Sequence, residues 1–383
     1  MSAALTARIA GIGCVTPLGN DLDGIWKRIA EGERPAITEI VNPENGRKLP
    51  AALVPPELVA HVAREPRLRR SSNISLFAAA AGKAALADSG IELTPAVKSR
   101  MAVVFGVSDG GVQYTRRFYE QIVKQGANTA SPMLFPETVF NAPASHLAAM
   151  LGVDGASYTL VGDGTVGLQA LHFAAQLIAM GDADHVLVVA AEELDWILLE
   201  AHRAWRLLAR GRRAVPDLQP HTGALLAEGA AAVVLSREGK RATVDVAAGV
   251  SFSGRDEAAQ ALDEVLRCFA GRGNADLIVD GANGTWVDKV IADATNTHFP
   301  AMLGAFPKDY FGEAPGCGAL QQIVIAVDAL ERFACDSALV PALGWNQQAA
   351  AAWIARVPGV PRSEPGFPPT PPPPPEPAKR PAR

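Results

Sequence analysis

Residues 157–180, SYTLVGDGTVGLQALHFAAQLIAM, place a β-rich run, a glycine-rich turn and an apolar helical pattern in direct succession. Ser157 to Val161 predicts a short strand. Thr165 to Met180 predicts a helix that is apolar nearly all round, and such a helix is expected between layers of structure rather than on the surface. A buried unit of this kind indicates an α/β protein.

Strands and helices alternate over most of the remaining chain. Ser71 to Ala87 predicts an Ala-rich helix with Ser71 or Ser72 as its cap and Gly90 as its stop. The alternation predicts an α/β architecture with covered sheets. The other predicted strands are 7–15, 101–105, 186–191, 230–235 and 244–250, and the other predicted helices are 22–30, 112–125 and 258–269.

A weak internal echo predicts a duplicated chain. Gly181-Asp-Ala-Asp184 precedes one apolar strand and Gly273-Asn-Ala-Asp276 precedes another, so we expect two similar halves, residues 1–240 and 241–357. Residues 358–383, with five consecutive prolines, favour polyproline II and cannot pack a core. We interpret this tail as a disordered extension in preference to a docking motif for a proline-binding module.

The composition limits the classes of partner and cofactor. With 383 residues, 49% hydrophobic, the chain can bury a large core, and its net charge of −5 gives no general attraction to nucleic acid or anionic lipid. Four cysteines without CxxC spacing argue against zinc and disulfides. No apolar run reaches the roughly 18 residues of a membrane helix. We predict a cytoplasmic protein without membrane insertion, metal or cofactor.

The glycine-rich turn has a second interpretation. Gly162-Asp-Gly164-Thr-Val-Gly167 matches G-x-G-x-x-G between a strand and a helix, and Glu192 and Glu193 end the next strand. This is the context of a dinucleotide-binding fingerprint. Glycines that only form a tight strand-to-helix elbow explain the motif at least as well.

Six segments carry a resemblance to the β-ketoacyl-acyl-carrier-protein synthases, and the resemblance as a whole, with the gate loop, covers residues 8 to about 355. The resemblance implies a thiolase-like fold, a duplicated five-layer αβαβα architecture, and an acyl-condensing activity that needs a cysteine thiolate and two histidines. The segments are Gly11–Gly19 (GIGCVTPLG), Asn141–Leu147, Ala156–Leu160, Gly223–Ala230, Asp280–Thr285 and Lys308–Ala319.

The resemblance places other residues at the family's catalytic positions. Gly164 stands where the cysteine is expected, and Asn283 and Glu313 stand where the two histidines are expected. Lys308 matches the family lysine, and we expect it to pair with Glu313. The gate loop is reduced to Gly344 and Trp345. Without a side chain at residue 164 the acyl-enzyme cannot form there.

Other residues are weaker candidates for chemistry. Cys317, between two glycines at the start of a predicted helix, has the setting in which a thiol pKa can drop, although a small buried packing cysteine is the commoner case. His146, His172 and His221 are interpreted as satisfied core or surface histidines.

The resemblance therefore implies a subunit similar to a chain length factor, which pairs with an active ketosynthase, although those proteins usually carry glutamine at the position of Gly164. A homodimer, an acyltransferase with an unforeseen nucleophile, and a dinucleotide-binding protein remain alternatives. Candidates for the interface and acyl-tunnel wall, with ordinary packing equally open, are Tyr114, Phe118, Met133, Phe135 and Phe140. Candidates for docking an acyl carrier protein, with a solvated face as the alternative, are Arg206, Arg210, Arg212 and Arg213.

Overall fold

The computed structural model describes residues 5–209, 223–300, 302–333, 335–345, 348–357 and 359, so all but one residue of the predicted tail lie outside the described residues. The strands are β1 (Leu5–Val15), β2 (Ile37–Val41), β3 (Lys48–Ala52), β4 (Met101–Val107), β5 (Ser157–Val161), β6 (His185–Glu192), β7 (Gly229–Ser236), β8 (Ala242–Ser251), β9 (Leu277–Val279), β10 (Leu303–Ala305), β11 (Ser337–Leu343) and β12 (Gln348–Arg356). The helices are α1 (Leu22–Ala30), α2 (Ala60–Ala63), α3 (Asn73–Ser89), α4 (Pro95–Arg100), α5 (Val112–Gln125), α6 (Ala142–Leu151), α7 (Val166–Met180), α8 (Trp196–Ala204), α9 (Arg255–Arg267), α10 (Val287–His298), α11 (Lys308–Phe311) and α12 (Gly318–Arg332).

The helix boundaries follow local signals where those signals are strong. Gly90 caps the C-terminus of helix α3, as predicted, and adopts the left-handed conformation with φ 65°. Helix α9 begins at Arg255, three residues before the predicted start. The prediction missed this first turn because it contains the charged Asp256 and Glu257, which do not continue the apolar pattern. Acidic side chains are favoured there by the helix dipole.

Ten strands form one mixed sheet in which the same order occurs twice. The order β5-β4-β6-β7-β1 is repeated as β10-β9-β11-β12-β8. If the five strands of each part are numbered along the chain, both parts have the spatial order 3-2-4-5-1. The second strand of each part pairs parallel with the third and fourth, and the other pairings are antiparallel. The two parts meet where residues 5–9 of β1 pair with β8. The described chain is thus a duplicated α/β fold.

Three helical layers sandwich the two parts of the sheet. Helices α7 and α12 pack together in the middle, α3 and α6 cover the first part, and α9 and α10 cover the second. The largest apolar core lies around α7 and α12, and α3 and α9 have cores of their own. This is the five-layer αβαβα arrangement of the thiolase fold. The exact division at residues 240 and 241 stays a proposal.

The echo that suggested duplication does not join equivalent strands. Gly181–Asp184 precedes β6, the fourth strand of the first part, whereas Gly273–Asp276 precedes β9, the second strand of the other. The resemblance arises because both segments end a helix or turn before a buried strand. The strand order shows the duplication, whereas the similarity of these two segments does not support it.

Close packing of the two central helices requires glycine at residue 167. A Cβ at Gly167 would lie 2.9 Å from both Cβ and the backbone nitrogen of Leu320 on α12. Gly167→Ala is expected to lower the free energy of unfolding by about 1–3 kcal/mol, because the helices must move apart. Gly271→Ala, where a Cβ would meet nothing within 4 Å, should change it by less than about 0.5 kcal/mol. Equal urea midpoints for the two variants would contradict this account.

Candidate active site

Gly164 lies in the elbow between β5 and α7, at the N-terminal end of the central helix. It is not among the residues with positive φ. A Cβ built on Gly164 would lie 3.7 Å from Cα of Gly344 and 3.9 Å from the carbonyl oxygen of Leu343, which is ordinary van der Waals contact. Neither the backbone nor the available space therefore requires glycine here.

The carboxylate of Asp163 lies against Gly344 of the gate loop. A Cβ on Gly344 would collide with the carboxylate of Asp163, so a side chain at residue 344 would displace that group. Oδ1 of Asp163 accepts hydrogen bonds from the backbone nitrogen (3.2 Å) and the hydroxyl (3.1 Å) of Thr165. An acidic side chain thus interacts with the first turn of α7.

The dinucleotide interpretation does not fit this geometry. A pyrophosphate in this motif would bind at the N-terminus of α7. The carboxylate of Asp163 already interacts with that end of the helix and would repel the negatively charged pyrophosphate. Gly167 is explained by the contact with α12. Glu192 and Glu193 are fully buried, and Glu193 accepts hydrogen bonds from the backbone nitrogens of Ile74 and Gln113. These glutamates are not available to a ribose.

Asn283, Lys308 and Glu313 form one buried polar cluster. Nζ of Lys308 and Nδ2 of Asn283 each donate to Oε2 of Glu313 at 2.7 Å. The side chains of the ion pair are 8% and 4% exposed. The expected pairing of Lys308 with Glu313 is present. Within the described residues, Oε1 of Glu313 has no hydrogen-bond partner.

This cluster is unsuited to stabilising a developing enolate. The amide of Asn283 is already used by Glu313, and its Oδ1 accepts from the hydroxyl of Thr285 at 2.6 Å. An enolate is stabilised by hydrogen-bond donors aimed at the growing negative charge. Here the central group is itself a carboxylate, and both donors satisfy it.

Cys317 is a packing residue, and the suggestion that its pKa drops is wrong. The side chain is fully buried, and burial raises the pKa of the Cys317 thiol well above its ordinary value. The carboxylates of Glu192 and Glu313 add to this rise, and Lys308 offsets only part of it. Burial likewise raises the pKa of Cys14 to about 12. Neither thiol lines the cavity described below.

The histidines singled out in the sequence are satisfied. Nε2 of His146 lies 2.6 Å from Oε1 of Glu137, and the ring nitrogens of His172 contact the carbonyl of Val246 and the amide of Gln176 at 3.1 Å. The prediction for these two residues is confirmed. His221 lies outside the described residues.

A cavity of about 520 Å³ opens beside Gly164. The lining comes from seven separate parts of the chain, and most of its residues were not selected by sequence analysis. Trp286 directly follows the Asp280–Thr285 segment, and Pro315 lies within Lys308–Ala319, so these two residues had a local signal. The lining residues are Ser108, Asp109, Val161, Gly162, Asp163, Gly164, His202, Trp205, Leu207, Arg255, Trp286, Pro315 and Trp345.

His202 is held in one orientation in the cavity wall. Its Nδ1 lies 2.8 Å from the carbonyl oxygen of Leu198. Because a carbonyl only accepts hydrogen bonds, Nδ1 is the donor here, and Nε2 is the ring nitrogen that can accept. The rings of Trp205 and Trp345 pack edge-on against the imidazole, with centroids at 5.3 and 5.1 Å.

The predicted interface residues lie away from this cavity, on α5 and the segment that follows it. Met133, Phe135 and Phe140 are exposed, whereas Tyr114 and Phe118 are half-buried. Tyr114 donates to the carbonyl of Arg70, and Phe118 packs against Phe135. None of the five lines the cavity.

Of the predicted docking arginines, the structure describes only Arg206, which is exposed beside the cavity residues Trp205 and Leu207. Arg210, Arg212 and Arg213 lie outside the described residues.

The duplicated five-layer architecture is that of the thiolase fold, and comparison with known proteins agrees. Residues 8–241 match the model of the β-ketoacyl synthase N-terminal domain. The chain therefore belongs to the β-ketoacyl synthase family.

Individual relatives are distant. The 3-oxoacyl-[acyl-carrier-protein] synthase 2 of Vibrio harveyi is 29% identical over 48% of this chain and 45% of its own length. The β-ketoacyl synthase of Burkholderia phymatum has a TM-score of 0.77 at 20% identity, covering 92% of this chain and 100% of that one. The ishigamide ketosynthase/chain length factor has a TM-score of 0.74 at 19% identity, covering 92% and 99%.

In the part of the chain that the structure describes, every helix is too short or too polar to cross a membrane.

Proposed function

We propose that this protein is a ketosynthase-like subunit that does not carry out condensation and pairs with an active ketosynthase in fatty-acid or polyketide assembly. The observation that carries the proposal is the buried Lys308–Glu313 pair, bonded to Asn283, together with Gly164 in the elbow between β5 and α7. Condensation needs a thiolate and two donors to the substrate carbonyl. In this chain the three corresponding positions are occupied by Gly164, Asn283 and Glu313.

The relatives support a role in acyl assembly but differ in the role they suggest. The Vibrio harveyi relative is named a synthase, and the chain spans about half the length of the curated relatives it matches. The ishigamide structure contains a chain length factor with its ketosynthase. We favour the second role because of the altered catalytic positions. We propose that the subunit works in the cytoplasm, where its ketosynthase partner would encounter carrier-bound acyl chains.

An acyltransferase using another nucleophile is less well supported. The candidate thiol, Cys317, is buried and its pKa is raised. A nucleophile needs both access to the substrate and a lowered pKa.

The surface proposed for the partner is formed by β5 and α5. Strand β5 is an edge of the ten-stranded sheet, and its Tyr158 and Val161 are exposed. No residue of α5 is buried, although the helix carries Phe118, Tyr119 and Val123. An exposed edge strand flanked by apolar side chains is a site of pairing with another chain.

Co-expression with an intact ketosynthase is expected to give a mixed dimer on gel filtration. Val161→Lys on β5 (56% exposed) should weaken this dimer at least tenfold, because a charge would be buried at the pairing edge. Leu303→Lys (69% exposed) on β10, the opposite edge of the sheet, is the matched control and should leave it unchanged. A monomer, a homodimer indifferent to the ketosynthase, or equal effects of the two variants would refute the proposal.

Arg206 and the arginines at 210, 212 and 213 remain the proposed contact for an acyl carrier protein. Their positive charge complements an acidic partner through contacts that salt screens. Arg206 is exposed and lies between the cavity residues Trp205 and Leu207, so a carrier bound to it would be near the cavity.

A further inference from the structure

The cavity beside Gly164 contains an imidazole that the family's condensation chemistry does not account for. The two family histidine positions hold Asn283 and Glu313, which do not line the cavity. His202 does line it, together with the carboxylates of Asp109 and Asp163. The site has therefore lost one arrangement of titratable groups and holds another.

His202 has the properties of a general base. Its Nδ1 is held by the carbonyl of Leu198, so the lone pair is on Nε2, and two tryptophan rings fix the ring plane. Asp109 lies close enough to interact electrostatically with it: burial raises the pKa of Asp109, and the nearby His202 offsets part of that rise. A carboxylate near an imidazole stabilises the imidazolium that forms when the base takes a proton.

The position of the missing side chain offers room for a water molecule. The space in front of Gly164 is bounded by Gly344 and Leu343 at 3.7 and 3.9 Å from a built Cβ, and it belongs to the same cavity as His202. Asp163, whose carboxylate lies against Gly344, lines the same cavity. His202, as an acceptor in this cavity, can orient a water in front of Gly164 toward a bound carbonyl carbon.

We propose that this cavity hydrolyses acyl thioesters, with His202 as the general base. The identity of the substrate as a thioester rests on the proposed function, and the hydrolysis goes beyond it. The oxygen of water bonds to the carbonyl carbon while Nε2 of His202 takes its proton. The carbon–sulfur bond then breaks, the sulfur leaves with the electron pair, and the imidazolium returns the proton to it. The products are a carboxylic acid and a thiol, and no other reactant is needed.

Asp109 is the reason to expect short acyl groups. It lines a cavity whose other walls are largely apolar and aromatic, and its backbone nitrogen lies 3.4 Å from the carboxylate of the fully buried Glu192. A long apolar chain inserted against Asp109 would desolvate its carboxylate without giving it a hydrogen bond. A short acyl group avoids that contact.

The test uses the full chain with acetyl-pantetheine and decanoyl-pantetheine in H₂¹⁸O. Acetate carrying one ¹⁸O should form well above the uncatalysed rate, and faster than decanoate. His202→Gln should lower the rate at least about 100-fold, as loss of a general base does. His61→Gln, exposed on α2 and outside the cavity, is the matched control and should be unchanged. His202→Ala, which leaves space for a small base, should regain activity when imidazole is added.

Three results would overturn the proposal: no turnover by the natural protein, equal turnover by His202→Gln, or an acylated protein by mass spectrometry. Faster hydrolysis of the decanoyl thioester would overturn the assignment to short chains. Each of these is measured on the chain alone, so it is separate from failure to form a dimer with a ketosynthase. Melting temperatures of the variants show whether a lost activity reflects lost folding.

Discussion

Gly164→Cys is expected to convert a protein that forms no acyl adduct at this elbow into one that is acylated once per chain. The reason is that a Cβ at residue 164 fits in ordinary contact with Gly344 and Leu343, and the new thiol would lie at the N-terminus of α7. A helix N-terminus lowers the pKa of a thiol. Intact-protein mass spectrometry after incubation with an acyl-pantetheine measures the adduct.

The natural protein is the matched control for this variant, because it retains Cys14, Cys268, Cys317 and Cys335. The carboxylate of Asp163 opposes thiolate formation, so Gly164→Cys/Asp163→Asn should be acylated faster than the single variant. Neither variant should condense acyl and malonyl units, because Asn283 and Glu313 provide no imidazole pair. A β-ketoacyl product from Gly164→Cys alone would show that the altered positions still suffice.

Lys308→Met is expected to lower the free energy of unfolding by about 3–5 kcal/mol, because it leaves the Glu313 carboxylate buried and without its cation. The pair is joined at 2.7 Å, and the side chain of Glu313 is 4% exposed. Among the described residues, the amide of Asn283 would remain to donate a hydrogen bond to it. Urea unfolding monitored by circular dichroism measures the loss.

Two comparisons separate this effect from a general one. Lys289→Met removes an ion pair with Asp293 whose side chains are 68% and 65% exposed, and it should cost less than about 1 kcal/mol. Lys308→Met/Glu313→Gln removes both charges and should recover most of the stability lost in the single variant. Similar losses for Lys308→Met and Lys289→Met would mean that the buried pair contributes little.

The order of motifs along the chain was enough to predict the fold, although one line of evidence failed. Residues 16–19 at the end of Gly11–Gly19, and the Asp280–Thr285 segment, form turns with hydrogen bonds between near neighbours, so these parts are readable without a structure. The Gly181–Asp184 echo misled because short turn sequences recur before many buried strands. Only strand pairing shows which strands are equivalent, and pairing joins residues far apart in sequence.

For the candidate site, too, some features could be predicted from the sequence and others only from the structure. The sequence alone showed that residue 164 lacks a nucleophile, since a hydrogen atom cannot be acylated in any environment. The environment of Cys317 could not be predicted, because its raised pKa comes from burial and from Glu192 and Glu313, which surround it in space. The same holds for the cavity, where His202 comes from α8 and Asp109 from the loop between β4 and α5.

Residue identity therefore determined what this chain lacks: the thiol at 164 and the imidazoles at 283 and 313. Tertiary structure decided what stands in their place, namely a buried ion pair and a cavity with a different histidine. The physical reason is that an absent functional group is a property of one residue. Burial, the pKa of a group and the shape of a cavity are properties of many residues, brought together only when the layers pack.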